Sequence, residues 1–187
     1  VPNISILSPA SDVEMKLMME WALNEKKAVI IRYPKKSCPK ELPCFSYPII
    51  AGRGVFATSV EKAKIVLICL GSIYSEVKEA SDKLKEKGVE VDIYNLRFVK
   101  PFDDEYFIQA MRKYSHIFVF EDGSKIGGIA EYIEALILKV DMREGRKRSI
   151  HALAFPDVFL GQGTRNEVLE EASLSSSSIA DFVLWNV

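Results

Sequence analysis

The sequence predicts an α/β fold: a three-layer open sheet, mixed but mainly parallel, with helices on both faces and a β-α-β piece ahead of it. Three observations carry this. Short runs rich in Val, Ile and Leu recur at 28–31, 65–70, 90–95, 117–121 and 149–155, each the length of one buried strand. Stretches of helical periodicity separate them, and a parallel pair needs such a crossover. Between the second strand and the rest, Pro34, Pro39, Pro43 and Pro48 break the pattern at four- and five-residue intervals.

The elements follow in order. The chain begins at Val1-Pro2-Asn3 without an initiator methionine, directly ahead of the strand-like Ile4-Ser5-Ile6-Leu7, so a piece of a longer polypeptide is expected. Ser11-Asp12-Val13-Glu14 has capping-box spacing. Val13, Leu17, Met18, Trp21 and Ala22 then share one helical face. Ala28 to Ile31 suits a buried parallel strand, and the prolines with their lysines suit an extended linker. The expected organisation is therefore 1–35, a linker at 36–50, and a domain over 51–187.

Within that domain, 54–58 and 65–70 flank a charged turn and are expected to pair antiparallel, which makes the sheet mixed. A helix over 73–87, a strand at 90–95, a helix over 103–114, a strand at 117–121 and a helix over 127–140 follow. A strand at 149–155 and two short helices end the chain. Asp103 is a candidate N-cap, Thr164-Arg165-Asn166-Glu167 a second capping box, and the serines at 175–178 a cap for the last helix.

Several function classes are disfavoured. A net charge of −1 gives no electrostatic reason to expect nucleic acid or an anionic membrane. The apolar runs at 65–70 and 135–138 are far too short to cross a bilayer. Cys38, Cys44 and Cys69 are an odd count without zinc or disulfide spacing; they read as reduced thiols of a cytoplasmic protein. His116 and His151 have no second ligand at metal spacing and read as structural. Gly52-Arg53-Gly54 and Gly161-Gln162-Gly163 are isolated, with no G-x-G-x-x-G, and no G-x-S-x-G elbow occurs.

Ligands of such sheets meet the loops at the carboxyl ends of the strands. Arg32-Tyr33-Pro34-Lys35-Lys36 places three cations around a rigid turn, suited to a phosphate or carboxylate and equally to a solvated linker entrance. Gly71-Ser72 opens a helix, a weak anion signal. Arg97 and Lys100 lie on a loop stiffened by Pro101, since the residue before proline is pushed to an extended conformation. Glu121-Asp122-Gly123-Ser124-Lys125-Ile126-Gly127-Gly128 fails the P-loop pattern because its lysine precedes the glycine pair; close backbone packing is the better reading. The residues alone describe an α/β domain without self-contained catalytic apparatus: no catalytic residue, no cofactor contact, no metal site.

Four segments nevertheless carry a resemblance. Val1-Pro2-Asn3-Ile4 through Pro9-Ala10-Ser11-Asp12-Val13-Glu14, with Ile31-Arg32-Tyr33-Pro34-Lys35, resembles the end of a transketolase-superfamily pyrimidine-binding domain. Asn95-Leu96-Arg97-Phe98-Val99-Lys100-Pro101-Phe102-Asp103 is similar to the "RFVKPLD" element of 1-deoxy-D-xylulose-5-phosphate synthases. Phe118-Val119-Phe120-Glu121-Asp122-Gly123 with Gly127-Gly128 resembles their "VEE…GG", and Phe155-Pro156-Asp157-Val158-Phe159 with Gln162-Gly163-Thr164 their "LPDFF…QGT". Transketolases and the beta subunits of 2-oxo-acid dehydrogenases share the fold but match the last two segments less well.

The resemblance implies a transketolase C-terminal-domain fold over 51–187, in the carboxy-terminal part of a dimeric, cytoplasmic transferase of isoprenoid and thiamine biosynthesis. That enzyme joins pyruvate to glyceraldehyde 3-phosphate with loss of carbon dioxide. Its cofactor, thiamine diphosphate with magnesium, is held in the family by a "GDG…N" segment and a glutamate that this sequence lacks. The piece by itself is therefore expected to bind no cofactor and to be inactive. Its partners would be the rest of its own polypeptide and a second copy. In the family an "RYPRG" loop contacts the acceptor phosphate through its second arginine, which aligns with Lys35, while its glycine aligns with Lys36. Lys35 and Arg32 are thus the implied substrate-phosphate residues. A lysine neutralises phosphate without the planar two-point contact of arginine. Ile129-Ala130-Glu131 also departs from the small residues of the family. The competing reading is a non-catalytic interaction or dimerisation domain of transketolase or dehydrogenase beta-subunit type.

Overall fold

A computed structural model describes residues 2–35 and 37–187; Val1 and Lys36, both named above, lie outside the described residues. The strands are β1 (Ile4–Leu7), β2 (Ala28–Ile31), β3 (Val55–Thr58), β4 (Ile65–Cys69), β5 (Val91–Asn95), β6 (Phe98–Lys100), β7 (His116–Ser124) and β8 (Ser149–Phe155). The helices are α1 (Asp12–Asn24), α2 (Tyr74–Glu86), α3 (Asp104–Ala110), α4 (Ile129–Glu144), α5 (Arg165–Glu171) and α6 (Ser176–Trp185).

Five strands form the main sheet in the order β3-β5-β4-β7-β8, parallel except for β3. Its apolar runs are buried on both faces because successive side chains of a strand point to opposite sides. Leu67 and Cys69 of β4 pack with Phe118 and Phe120 of β7 against Val77, Leu84, Leu169, Ile179 and Val183, so α2, α5 and α6 cover that face. Val66 and Ile68 pack with Ile117 and Val119 against Phe107, Met111, Ile133 and Ile137, so α3, α4 and the turn after α3 cover the other. The three-layer, mainly parallel arrangement is the expected one.

The source of the mixed character differs from expectation. β3 pairs antiparallel with β5, Val55 opposite Asn95 and Phe56 opposite Tyr94, and not with β4. β4 is central and has parallel partners on both sides, so β3 takes the free edge of β5. Asp92 anchors the connection: its carboxylate accepts from the Val60 amide at 2.5 Å, the Tyr114 hydroxyl at 2.6 Å and the Lys113 ammonium at 2.7 Å.

Helix boundaries follow their caps. Thr164 and Glu167 form a reciprocal capping box, and Ser175 accepts from the Ser178 amide. Asp103 caps α3, accepting from the Tyr106 amide at 3.0 Å. α3 stops at Ala110, short of the expected 114, as Tyr114 turns into the sheet toward Asp92. α4 runs to Glu144 and ends on Gly145 in the left-handed region, φ 65°. Ser11 caps α1, but no reciprocal box forms: the Glu14 carboxylate accepts from the Ala10 amide at 2.8 Å instead.

Asp103 makes one pH effect predictable. The Tyr106 amide and then Arg53 hold its carboxyl below the ordinary range. A folded-state pKa below the unfolded one supplies stability above the unfolded value and loses it as pH falls through the folded value. Asp103→Asn keeps a capping oxygen but cannot titrate, so its difference in stability from the parent should shrink in urea titrations as pH drops below about 4.

A second sheet has the order β2-β1-β6. β1 and β2 are parallel with Ile4 opposite Ala28, and β6, in a segment expected to be loop, adds antiparallel to β1. The outer edge of β1 is thus covered by a later part of the chain. β2 remains an open edge, and α1 exposes Leu23 (86%) and Met19 (50%).

Candidate functional site

The carboxyl ends of β1, β2, β4 and β7 converge on one region. The loop after β2 is fastened there by the Arg32 amide donating to Leu7 O at 2.8 Å and the Ser8 hydroxyl donating to Arg32 O at 3.0 Å. The Arg32 guanidinium turns to the β7 end and forms an ion pair with Asp122, whose other oxygen accepts from the Ser72 hydroxyl. Glu121 lies alongside and opposes the downward push of burial on Arg32. Gly123 lies against this pair: a Cβ there would sit 3.4 Å from Arg32 Nη1 and 3.3 Å from Glu121 Oε2.

Lys35 belongs to a different space. It lines a cleft of about 380 Å³ with the start of α1 (Ser11, Asp12, Met15), the strip Ser37, Cys38 and Pro39, and Ser72 and Ser75. Arg32 lines a smaller pocket of about 190 Å³ with Ser8, Ser72 and Asp122. The two share Tyr33, Pro34 and Ser72. The candidate cations are therefore neighbours on one loop that face adjacent pockets, with Arg32 already paired. Asp12 adds a negative charge at the cleft, its carboxyl lowered by a hydrogen bond with Glu41 and then by Lys16. A hydroxyl-rich cleft with one described lysine can take a small anion, and Arg32 is engaged by Asp122 beside it.

The glycine-containing segment at 121–128 is filled from within. The Glu121 carboxylate accepts from the Ile129 amide at 3.2 Å and the Ala130 amide at 3.3 Å, so the free amides at the start of α4 are engaged. Burial pushes this carboxyl up, against the pull of those amides and of Arg32. A Cβ at Gly128 would fall on Glu121 Oε1, as the close-packing reading expects, whereas one at Gly127 meets nothing within 4 Å. His151 stacks on Phe118 at 5.2 Å and meets Phe182 edge-on, a packing role. Among the described residues no group of three His, Cys, Asp or Glu side chains could hold a metal ion. Nor is any described helix long and apolar enough to cross a membrane.

Arg97 does not line a loop surface. It is 1% exposed, in the left-handed region at φ 64°, and reaches inward. Its Nε donates to Glu14 Oε1 at 2.6 Å, and its terminal nitrogens donate to the carbonyls of Cys44, Phe45, Tyr47 and Pro48. Asn95 Nδ2 donates to both Glu14 oxygens. This buried cluster joins α1, the 3-10 turn at Pro43–Ser46 and the β5–β6 connection. Its trace in the sequence is an acidic residue four positions before Met18, on the buried face of α1.

The transketolase C-terminal domain model matches residues 54–179. The chain is 44% identical over 185 residues, 99% of its length, to a 1-deoxy-D-xylulose-5-phosphate synthase of Treponema pallidum (strain Nichols), and covers 29% of that relative. A synthase of the same name from Natranaerobius thermophilus is 29% identical over 98% of the chain, which covers 28% of it. The chain thus spans less than a third of the length of these curated relatives. Among solved structures, a split-gene transketolase (inactive β4 tetramer) superposes with a TM-score of 0.85 at 21% identity, covering all of this chain and 58% of that one. The transketolase of Campylobacter jejuni subsp. jejuni superposes at 0.75 with 16% identity, over 98% of this chain and 26% of that one. At these identities the structural likeness concerns the fold.

Proposed function

The chain belongs to the transketolase C-terminal domain family, and on that premise we propose that it is the carboxy-terminal part of a 1-deoxy-D-xylulose-5-phosphate synthase. The observation that carries this is the 44% identity to a synthase of that name along 99% of the chain. In this reading the complete polypeptide joins pyruvate to glyceraldehyde 3-phosphate with loss of carbon dioxide. Lys35 serves the acceptor phosphate by charge from the cleft, and Arg32 belongs to the framework of the same loop. Among the described residues the glycine-flanked start of α4 does not fit a diphosphate, because the Glu121 carboxylate already accepts from the Ile129 and Ala130 amides. In this reading thiamine diphosphate and its magnesium are held by other segments of the complete polypeptide.

The test is kinetic. In the complete polypeptide, Lys35→Ala should raise KM for glyceraldehyde 3-phosphate about tenfold, equivalent to about 1.4 kcal/mol, with KM for pyruvate little changed. Lys35→Arg should restore or exceed the parent affinity, since a guanidinium supplies the two-point contact. Absence of carbon dioxide release from the two substrates would refute the synthase reading. For the 187-residue chain by itself, calorimetry with thiamine diphosphate and magnesium should give no micromolar binding.

The open edge of β2 and the exposed Met19 and Leu23 of α1 support a second role, docking. The partners assigned are the rest of the same polypeptide at that face and a second copy in a homodimer. Sedimentation of the complete polypeptide tests the dimer, and a monomer at micromolar concentration would sink it.

A further inference from the structure

We propose that Asp122 is a positioning residue that withdraws Arg32 from the anion cleft and so sets its strength and selectivity. The proposal rests on the reading of Lys35 as an anion-binding residue. Three observations support it. Arg32 and Lys35 stand on one short loop, yet Lys35 lines the larger cleft and Arg32 the smaller pocket. The carboxylate of Asp122 accounts for the difference: it takes the Arg32 guanidinium with one oxygen and the Ser72 hydroxyl with the other. Ser72 lines both pockets, so the same carboxylate also draws toward itself a hydroxyl that could otherwise serve the cleft. The pair is open to water on the arginine side, the side chains of Arg32 and Asp122 being 41% and 17% exposed, so its hold on Arg32 is sensitive to salt.

The chemical consequence concerns charge. A phosphate monoester entering the cleft meets Lys35 while Arg32 is neutralised beside it. That favours small phosphorylated ligands, held by Lys35 and several hydroxyls, over more highly charged ones such as diphosphates. Removing the Asp122 charge should release both the guanidinium and the hydroxyl toward the anion.

The experiment titrates inorganic phosphate into the full chain and follows the backbone amides of residues 33–35 by heteronuclear NMR, with thermal unfolding as a check on folding. Asp122→Asn should bind phosphate about three- to tenfold more tightly than the parent, an advantage that shrinks in high salt. Asp122→Glu should stay near the parent, since it keeps the charge. In an Arg32→Ala background, Asp122→Asn should lose most of its gain, because the effect passes through the arginine. A general loosening of the loop would give the same change with or without Arg32. Tighter binding that depends on Arg32 supports the proposal. Unchanged or weaker binding in a folded Asp122→Asn, or a gain that survives Arg32→Ala, overturns it. Lys35→Ala separates the two levels: if it leaves phosphate binding untouched, the Lys35 reading fails whatever Asp122 does. If it abolishes binding while Asp122→Asn changes nothing, only the positioning role fails.

Discussion

Arg97→Ala should destabilise the chain by about 3–5 kcal/mol, among the largest losses any single substitution here can cause. Arg97 is 1% exposed and Glu14 fully buried, so deleting the guanidinium leaves a carboxylate with no counter-charge in the interior. Four backbone carbonyls of residues 44–48 lose donors at the same time. For a chain of this size each kcal/mol moves Tm by about 2–4 °C, so a fall of about 10 °C is expected by calorimetry. A shift under about 2 °C would mean that the cluster is open to water.

The same variant has a signed pH dependence. Burial is the main influence on Glu14 and pushes its carboxyl up, while Arg97 opposes that push. Without Arg97 the carboxyl rises further above its unfolded value. A group with a raised folded-state pKa favours the fold below the unfolded pKa and loses that contribution as pH rises through the folded pKa. The deficit of Arg97→Ala relative to the parent should therefore be larger at about pH 7 than at about pH 5. Pairing it with Glu14→Leu should recover part of the loss at about pH 7, because an apolar pair needs no solvation.

The layering of the fold was legible because it depends on local pattern. Apolar runs such as 65–69 alternate with amphipathic helices, and caps at Asp103, Thr164 and Ser175 rest on hydroxyls and carboxylates within three residues of their targets. What escaped depends on partners far apart in sequence. β3 looked like a hairpin partner of β4 because they are adjacent in the chain, yet β4 is central and β3 joins β5. β6 was hidden because three residues make a strand only when β1 offers an edge. The candidate site was legible as a basic loop. The division between Arg32 and Lys35 was not, since it turns on Asp122, ninety residues away in the chain from Arg32.

Gly128→Ala should cost about 2–3 kcal/mol although it adds a single methyl group. Its Cβ would fall on Glu121 Oε1 and lie 2.5 Å from the Ser124 carbonyl oxygen, which is backbone and cannot rotate away. Glu121 is 3% exposed, so moving it strips the Ile129 and Ala130 amides of their acceptor and leaves a buried carboxylate short of donors. The neighbouring Gly127 provides the control. A Cβ there meets nothing within 4 Å, and only its left-handed φ of 73° resists substitution, so Gly127→Ala should cost about 1 kcal/mol. Urea denaturation of the two variants separates close approach from backbone conformation: equal losses would sink the packing account. Because Asp122 follows Glu121 directly and holds Arg32, Gly128→Ala should also perturb the NMR signal of the Arg32 side chain, which Gly127→Ala should leave in place.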